Sequence, residues 1–127
     1  MRYLGIDFGT KRVGIALSDE KGEFAMPHSV VQNTPSLVED VKNICVKEGV
    51  GTIVIGESKD YAMNNNPVMK KVIPFVKKLE TETGLPVVYE PEVLSSREAG
   101  HIQGEGKLLD ASAAAIILKS YIDRGKK

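Results

Sequence analysis

Tyr3-Leu4-Gly5-Ile6-Asp7-Phe8-Gly9-Thr10-Lys11-Arg12-Val13-Gly14-Ile15-Ala16-Leu17 holds two apolar, β-prone runs joined by a short polar connection that contains glycine. This pattern predicts a β-hairpin, with Gly9 supplying the positive φ that tight connections often demand. Asp7 then falls near the tip of the first strand. A carboxylate at a strand end, followed at once by Thr10, Lys11 and Arg12, suits phosphate handling: the acid holds a hard cation, and the hydroxyl and basic groups hold anionic oxygens. A plainer reading fits the same residues, in which Asp7 and Arg12 pair across a surface turn.

Outward from the hairpin, Asp19 to Gly22 is a polar turn and Phe24 to Val31 reads as a third strand, at an edge because Pro27 cannot donate to a ladder. Thr34 and Pro35 are the expected N-cap and first position of a helix, with Leu37, Val38, Val41, Ile44 and Cys45 on one stripe and Gly49 as its stop. Thr52-Ile53-Val54-Ile55-Gly56 has the unbroken apolar character of a strand buried on both faces, central and parallel to the first. Asn66-Pro67 is the expected start of a second helix, which Pro74 is expected to kink or break. Val87-Val88-Tyr89 is a fifth strand. Ser95 with Glu98 has the capping-box spacing of a short third helix, and a last helix is expected to open at Asp110 and end at Gly125. The order implies an α/β fold: a mixed five-stranded sheet, an antiparallel meander of the first three strands plus parallel fourth and fifth strands, with helices on both faces.

The 127 residues fit a single domain spanning 1–127. Seventeen basic and seventeen acidic residues cancel, so the whole-molecule field gives no general attraction for a polyanion, and any such ligand needs a local patch. The one cysteine, Cys45, excludes an internal disulfide and sits on a helical apolar stripe, which marks it as core. His28 has no second His or Cys at ligand spacing and reads as a structural or surface residue. With no signal pattern and no long apolar stretch, a soluble, cytoplasmic protein without a membrane partner is expected.

In an open sheet of this order the carboxyl ends of the first, fourth and fifth strands converge on one rim, where such sheets place their ligands. Asp7, Glu57, Glu90 and Glu92 fall at that rim, and Asp110 is a further candidate from the start of the last helix. Clustered carboxylates suit Mg²⁺ or Mn²⁺, and paired ions of this kind serve phosphodiester displacement. Each acid also has a bland role: Asp110 as an N-cap, Glu57 and Glu90 as solvated strand-end groups.

Gly5-Ile6-Asp7-Phe8-Gly9-Thr10-Lys11-Arg12-Val13-Gly14-Ile15-Ala16, Leu94-Ser95-Ser96-Arg97-Glu98-Ala99 and Leu109-Asp110-Ala111-Ser112-Ala113-Ala114 together resemble, in order, three motifs of the YqgF (RuvX) family. That family contains Holliday junction resolvases and ribosomal RNA precursor nucleases within the RNase H-like superfamily. The resemblance implies an RNase H-like fold and Mg²⁺- or Mn²⁺-dependent hydrolysis of phosphodiesters in a ribosomal RNA precursor or branched DNA, by a monomer or homodimer. It makes Asp7 and Asp110 the first and last metal-binding acids, with Glu92 as the middle one. Asp7, Glu92 and Asp110 are then catalytic, Thr10, Lys11 and Arg12 bind nucleic acid, and the carboxyl oxygens of the three acids should meet within about 8 Å of one point.

The chain departs from the family in two places. Aligned on Leu94, Pro91, Glu92 and Val93 replace an Asp-Glu-Arg segment, so one acid and an arginine are lost. Gly56-Glu57-Ser58-Lys59-Asp60-Tyr61 replaces a Gly-Leu-Pro loop. Glu90 and Glu57, the latter placed much as a metal-binding glutamate in nucleases similar to RuvC, are candidates to compensate as metal ligands. A catalytically weakened binding or ribosome-assembly module of the same fold is the alternative. A third reading follows from the resemblance of Asp7-Phe8-Gly9-Thr10 to the phosphate loop of actin-like ATPases and sugar kinases, but 127 residues leave no room for the second lobe those proteins close over ATP.

Overall fold

The computed structural model describes residues 1–9, 11–57, 69–91 and 106–125, with backbone alone for 69, 70 and 106–110. The strands are β1 (Arg2–Phe8), β2 (Arg12–Ser18), β3 (Ala25–Gln32), β4 (Val50–Glu57) and β5 (Val87–Pro91). The helices are α1 (Leu37–Glu48), α2 (Met69–Thr83) and α3 (Gly106–Gly125). They build one sheet of order β3-β2-β1-β4-β5, antiparallel through β3, β2 and β1 and parallel through β1, β4 and β5. This is the mixed five-stranded arrangement expected from the sequence.

Strand alternation sorts the side chains onto two faces. Leu4 and Ile6 of β1, Ile15 of β2 and Ile53 and Ile55 of β4 are fully buried with Val41 of α1 and Val72 and Leu79 of α2. On the other face Ala16 and Val54 pack against Ala114, Ile117 and Leu118 of α3. Gly5 makes that second contact close: a Cβ there would sit 2.9 Å from Leu118 Cβ and 3.0 Å from the Ala114 carbonyl oxygen. Tyr3 meets Tyr121 edge to face, with ring centroids 5.6 Å apart. Along β1 from Tyr3 to Gly5 the partner therefore moves back along α3 from Tyr121 towards Ala114, so the helix runs against β1 and brings its early turns to the Asp7 end.

Pro27 lies in an edge strand, as its missing donor requires. Ile15 pairs with Ser29 and Ala16 with Pro27, leaving His28 as the extra residue of a bulge. His28 is exposed there, its Nδ1 2.8 Å from Ser29 Oγ and its Nε2 3.9 Å from Glu48 Oε2, the surface role expected of it. Burial raises the Cys45 thiol pKa to about 11, in keeping with a core position.

Two helix starts differ from expectation, and the second helix is not broken at Pro74. The first helix begins at Leu37, and Thr34 instead forms a turn before it, its Oγ1 accepting from the Ser36 N–H at 3.2 Å. Gly49 closes the helix in the left-handed conformation, as anticipated. The second helix runs unbroken through Pro74. Proline inside a helix costs about 3 kcal/mol, whereas burying each Val or Leu returns about 1.5–3 kcal/mol, and Val72, Val76 and Leu79 bury on both sides of it. The last helix begins at Gly106, so Asp110 lies inside it and is not its N-cap. The expected Asn66-Pro67 start and the short helix expected from Ser95 lie outside the described residues.

Candidate active site

The hairpin turn is shaped by close backbone packing. Gly9 does not carry a positive φ, contrary to expectation. Its glycine is required for space, since a Cβ there would lie 2.3 Å from the Arg12 carbonyl oxygen. Asn33, at the end of β3, pins the turn from outside: its Nδ2 donates to the Gly9 carbonyl at 2.7 Å and its N–H donates to the Lys11 carbonyl at 2.9 Å. Lys11 and Arg12 are exposed at this turn, while Thr10 lies outside the described residues. Sequence reading did not single out Asn33. A polar residue directly after a strand is common in turns, and only the fold shows which turn it holds.

Asp7 lies on the α3 face of β1, following Tyr3 and Gly5 in alternation. Its partner on β2 is Gly14. On the other side Ile6 pairs with Ile55, which puts Gly56 beside Asp7, and Gly56 pairs in turn with Glu90. One row across the sheet thus reads Gly14, Asp7, Gly56, Glu90. The positions beside Asp7 on both adjoining strands are glycines, so neither strand sets a side chain next to it in this row.

Glu90 occupies the expected rim but is committed elsewhere. It is 2% exposed, its Oε2 accepts from Ser120 Oγ at 2.9 Å, and its Oε1 is paired with the Arg124 guanidinium. Both oxygens thus fasten β5 to the last turns of α3, an arrangement different from the metal-ligand role expected of it. Glu57 belongs by alternation to the other face, with Ile53 and Ile55. Burial, then the charges of Glu57 and Glu80, raise the pKa of Tyr89, which packs on the α1 and α2 side. The structure therefore brings Asp7, Glu57 and Glu90 to one rim but not to one face. Glu92 and the Asp110 side chain lie outside the described residues, and among the described residues no three metal-binding side chains gather. Asp110 itself is one turn before Ala114, whose carbonyl lies against Gly5, two residues before Asp7.

The sequence model of the family described as "RuvX: Holliday junction resolvase" matches residues 1–124. The chain belongs to the RuvX family. A relative from Caldanaerobacter subterraneus subsp. tengcongensis, described as "Putative pre-16S rRNA nuclease", is 36% identical over 138 aligned residues, covering 99% of both chains. Among solved structures, Thermus thermophilus RuvC in complex with a Holliday junction substrate superposes with a TM-score of 0.65 at 20% identity, covering 99% of this chain and 97% of that one. The fowlpox virus resolvase with Holliday junction DNA superposes with a TM-score of 0.64 at 14% identity, over the whole of both chains. At these identities the two structures establish a shared RNase H-like fold, in which this RuvX chain places Asp7 at the carboxyl end of its central β1.

Proposed function

We propose that this chain is a metal-dependent endonuclease acting on structured nucleic acid, with a ribosomal RNA precursor or a branched DNA as substrate. The observation that carries the reading is Asp7, set at the end of a buried central strand between Gly14 and Gly56, on the sheet face that α3 covers. Asp7, Glu92 and Asp110 are the residues that would hold Mg²⁺ or Mn²⁺, and carboxylate oxygens are the donors these hard cations prefer. What such ions supply when bound is positive charge at the scissile phosphate. Lys11 and Arg12 neutralise neighbouring phosphates and fix the register of the strand without reading its bases. Asn33 keeps their turn at a set distance from Asp7. Glu57 and Glu90 are not ligands in this reading, because one belongs to the opposite face and the other is held by Ser120 and Arg124.

Calorimetric titration of Mn²⁺ tests the assignment directly. Asp7→Asn should lose most of the binding and of the cleavage, whereas Glu57→Gln should titrate like the parent. Metal binding intact in Asp7→Asn, or lost in Glu57→Gln, would refute the assignment. A second reading, a binding module with a weakened site, is favoured by Glu90, whose engagement by Arg124 prevents it from replacing the lost acid. Failure of the purified parent to cleave either a ribosomal RNA precursor fragment or a four-way DNA junction with Mg²⁺ or Mn²⁺ would select it.

A further inference from the structure

On the face opposite Asp7, but at the same rim, a cleft of about 460 Å³ opens between the start of α1 and the flank of α2. Phe8, the residue directly after Asp7, forms one wall. Its ring leans on Phe75 of α2, centroids 5.2 Å apart and planes inclined by 46°. Lys71, Phe75 and Lys78 follow one another at helical spacing of four and three residues, so the aromatic ring is bracketed by two ammonium groups on one flank of α2. Both lysines are exposed, and neither has an acidic partner among the described residues. Asn33 and Thr34, which line the mouth, connect the cleft to the turn that carries Lys11.

We infer that this cleft is a subsite for an unpaired nucleotide of the bound strand, adjacent to the scissile phosphate. The volume lies within the roughly 300–1,000 Å³ of small-ligand pockets. An aromatic face with flanking cations is the chemistry that holds a single strand, the ring stacking on a base and the ammonium groups meeting phosphate. A base held in a duplex cannot reach a ring set in a cleft, so the subsite selects single-stranded segments over fully paired ones. The strand crosses the rim at Lys11 and Arg12 and turns down onto the α1 and α2 side at Phe8. Lysines merely solvated along an apolar stripe would show neither this selectivity nor a dependence on the ring.

The inference rests on the nucleic-acid reading given above, and the test separates the two. Fluorescence anisotropy in the presence of EDTA, so that no cleavage occurs, would compare a short labelled single-stranded oligoribonucleotide with the same sequence fully paired. In Lys71→Gln/Lys78→Gln the salt dependence of single-strand binding should fall by about 1.4 in the log–log slope, two charges at about 0.7 each. Phe8→Leu, which keeps an apolar contact for Phe75, should weaken single-strand binding about tenfold and leave that slope unchanged. Duplex binding should be the same in all three proteins. Parent-like single-strand binding in either variant, or equal weakening for the duplex, overturns the subsite. Should Phe8→Leu not fold, the lysine variant alone decides. If the parent binds neither probe, the nuclease reading falls with the subsite; if the parent binds and the variants match it, only the subsite falls.

Discussion

Asp19 accepts hydrogen bonds from the N–H groups of Phe24 at 2.9 Å and Glu23 at 2.8 Å, closing the turn between β2 and β3. These bonds, that from Phe24 foremost, hold its pKa below the usual carboxylate value. A depressed folded pKa contributes stability that is present above the unfolded pKa and is lost as pH falls through the folded one. Asp19→Asn should therefore be less stable than the parent at neutral pH, with the gap closing in acid. Urea midpoints across that range would check it, and a gap that stays constant with pH would contradict the charge-based account. Much at this scale was legible in the sequence: Asp19 as a turn former, Cys45 as core and His28 as surface all follow from residue chemistry and local spacing. Glu90 was not, because its partner Arg124 lies 34 residues away in the chain and only the packing of α3 brings them together. Glu57 was legible in principle, since Ile53, Ile55 and Glu57 alternate on one side of a strand.

At the scale of elements, α3 is held to the sheet by two devices of different physics. One is steric: Gly5 lets Ala114 and Leu118 approach the sheet, and Gly5→Ala would force the helix outward. We expect a loss of about 1–3 kcal/mol, read as a lowered melting temperature. The other is polar: Arg124 neutralises the buried Glu90 carboxylate. Arg124→Met would leave that charge unpaired, which costs 3–5 kcal/mol in a dry site. The Arg124 side chain is 56% exposed, so water compensates in part and about 2 kcal/mol is expected, whereas Glu90→Gln, which removes the charge itself, should cost less. Urea unfolding of the two variants would show the order, and a larger loss in Glu90→Gln would contradict it. The strands were readable from apolar periodicity, but helix limits were not. A good N-cap residue such as Asp110 also tolerates a helix interior, and one proline costs less than the apolar surface buried on either side of it.

For the molecule as a whole, equal numbers of acidic and basic residues mean that nucleic-acid binding must draw on local patches. Lys11→Gln/Arg12→Gln should weaken binding to all sequences alike and reduce the salt slope by roughly 1.4 to 1.8, according to whether the strand is single or paired. An unchanged slope would return both residues to an ordinary surface turn. Among the described residues, no helix is long and apolar enough to cross a membrane. The order of strands was recoverable because two short-range turns and the parallel crossovers leave few arrangements.

The interruption in β3 has a consequence for how copies of this protein meet. An outer strand with an unbroken row of amides is a template on which another chain can extend the sheet, the first step towards fibrils. Pro27 withholds one amide and the bulge at His28 shifts the register of the strand by one residue. The β3 margin therefore resists runaway strand addition even at the high concentrations of a crowded cell. A self-association that is closed and reversible has to form through another surface.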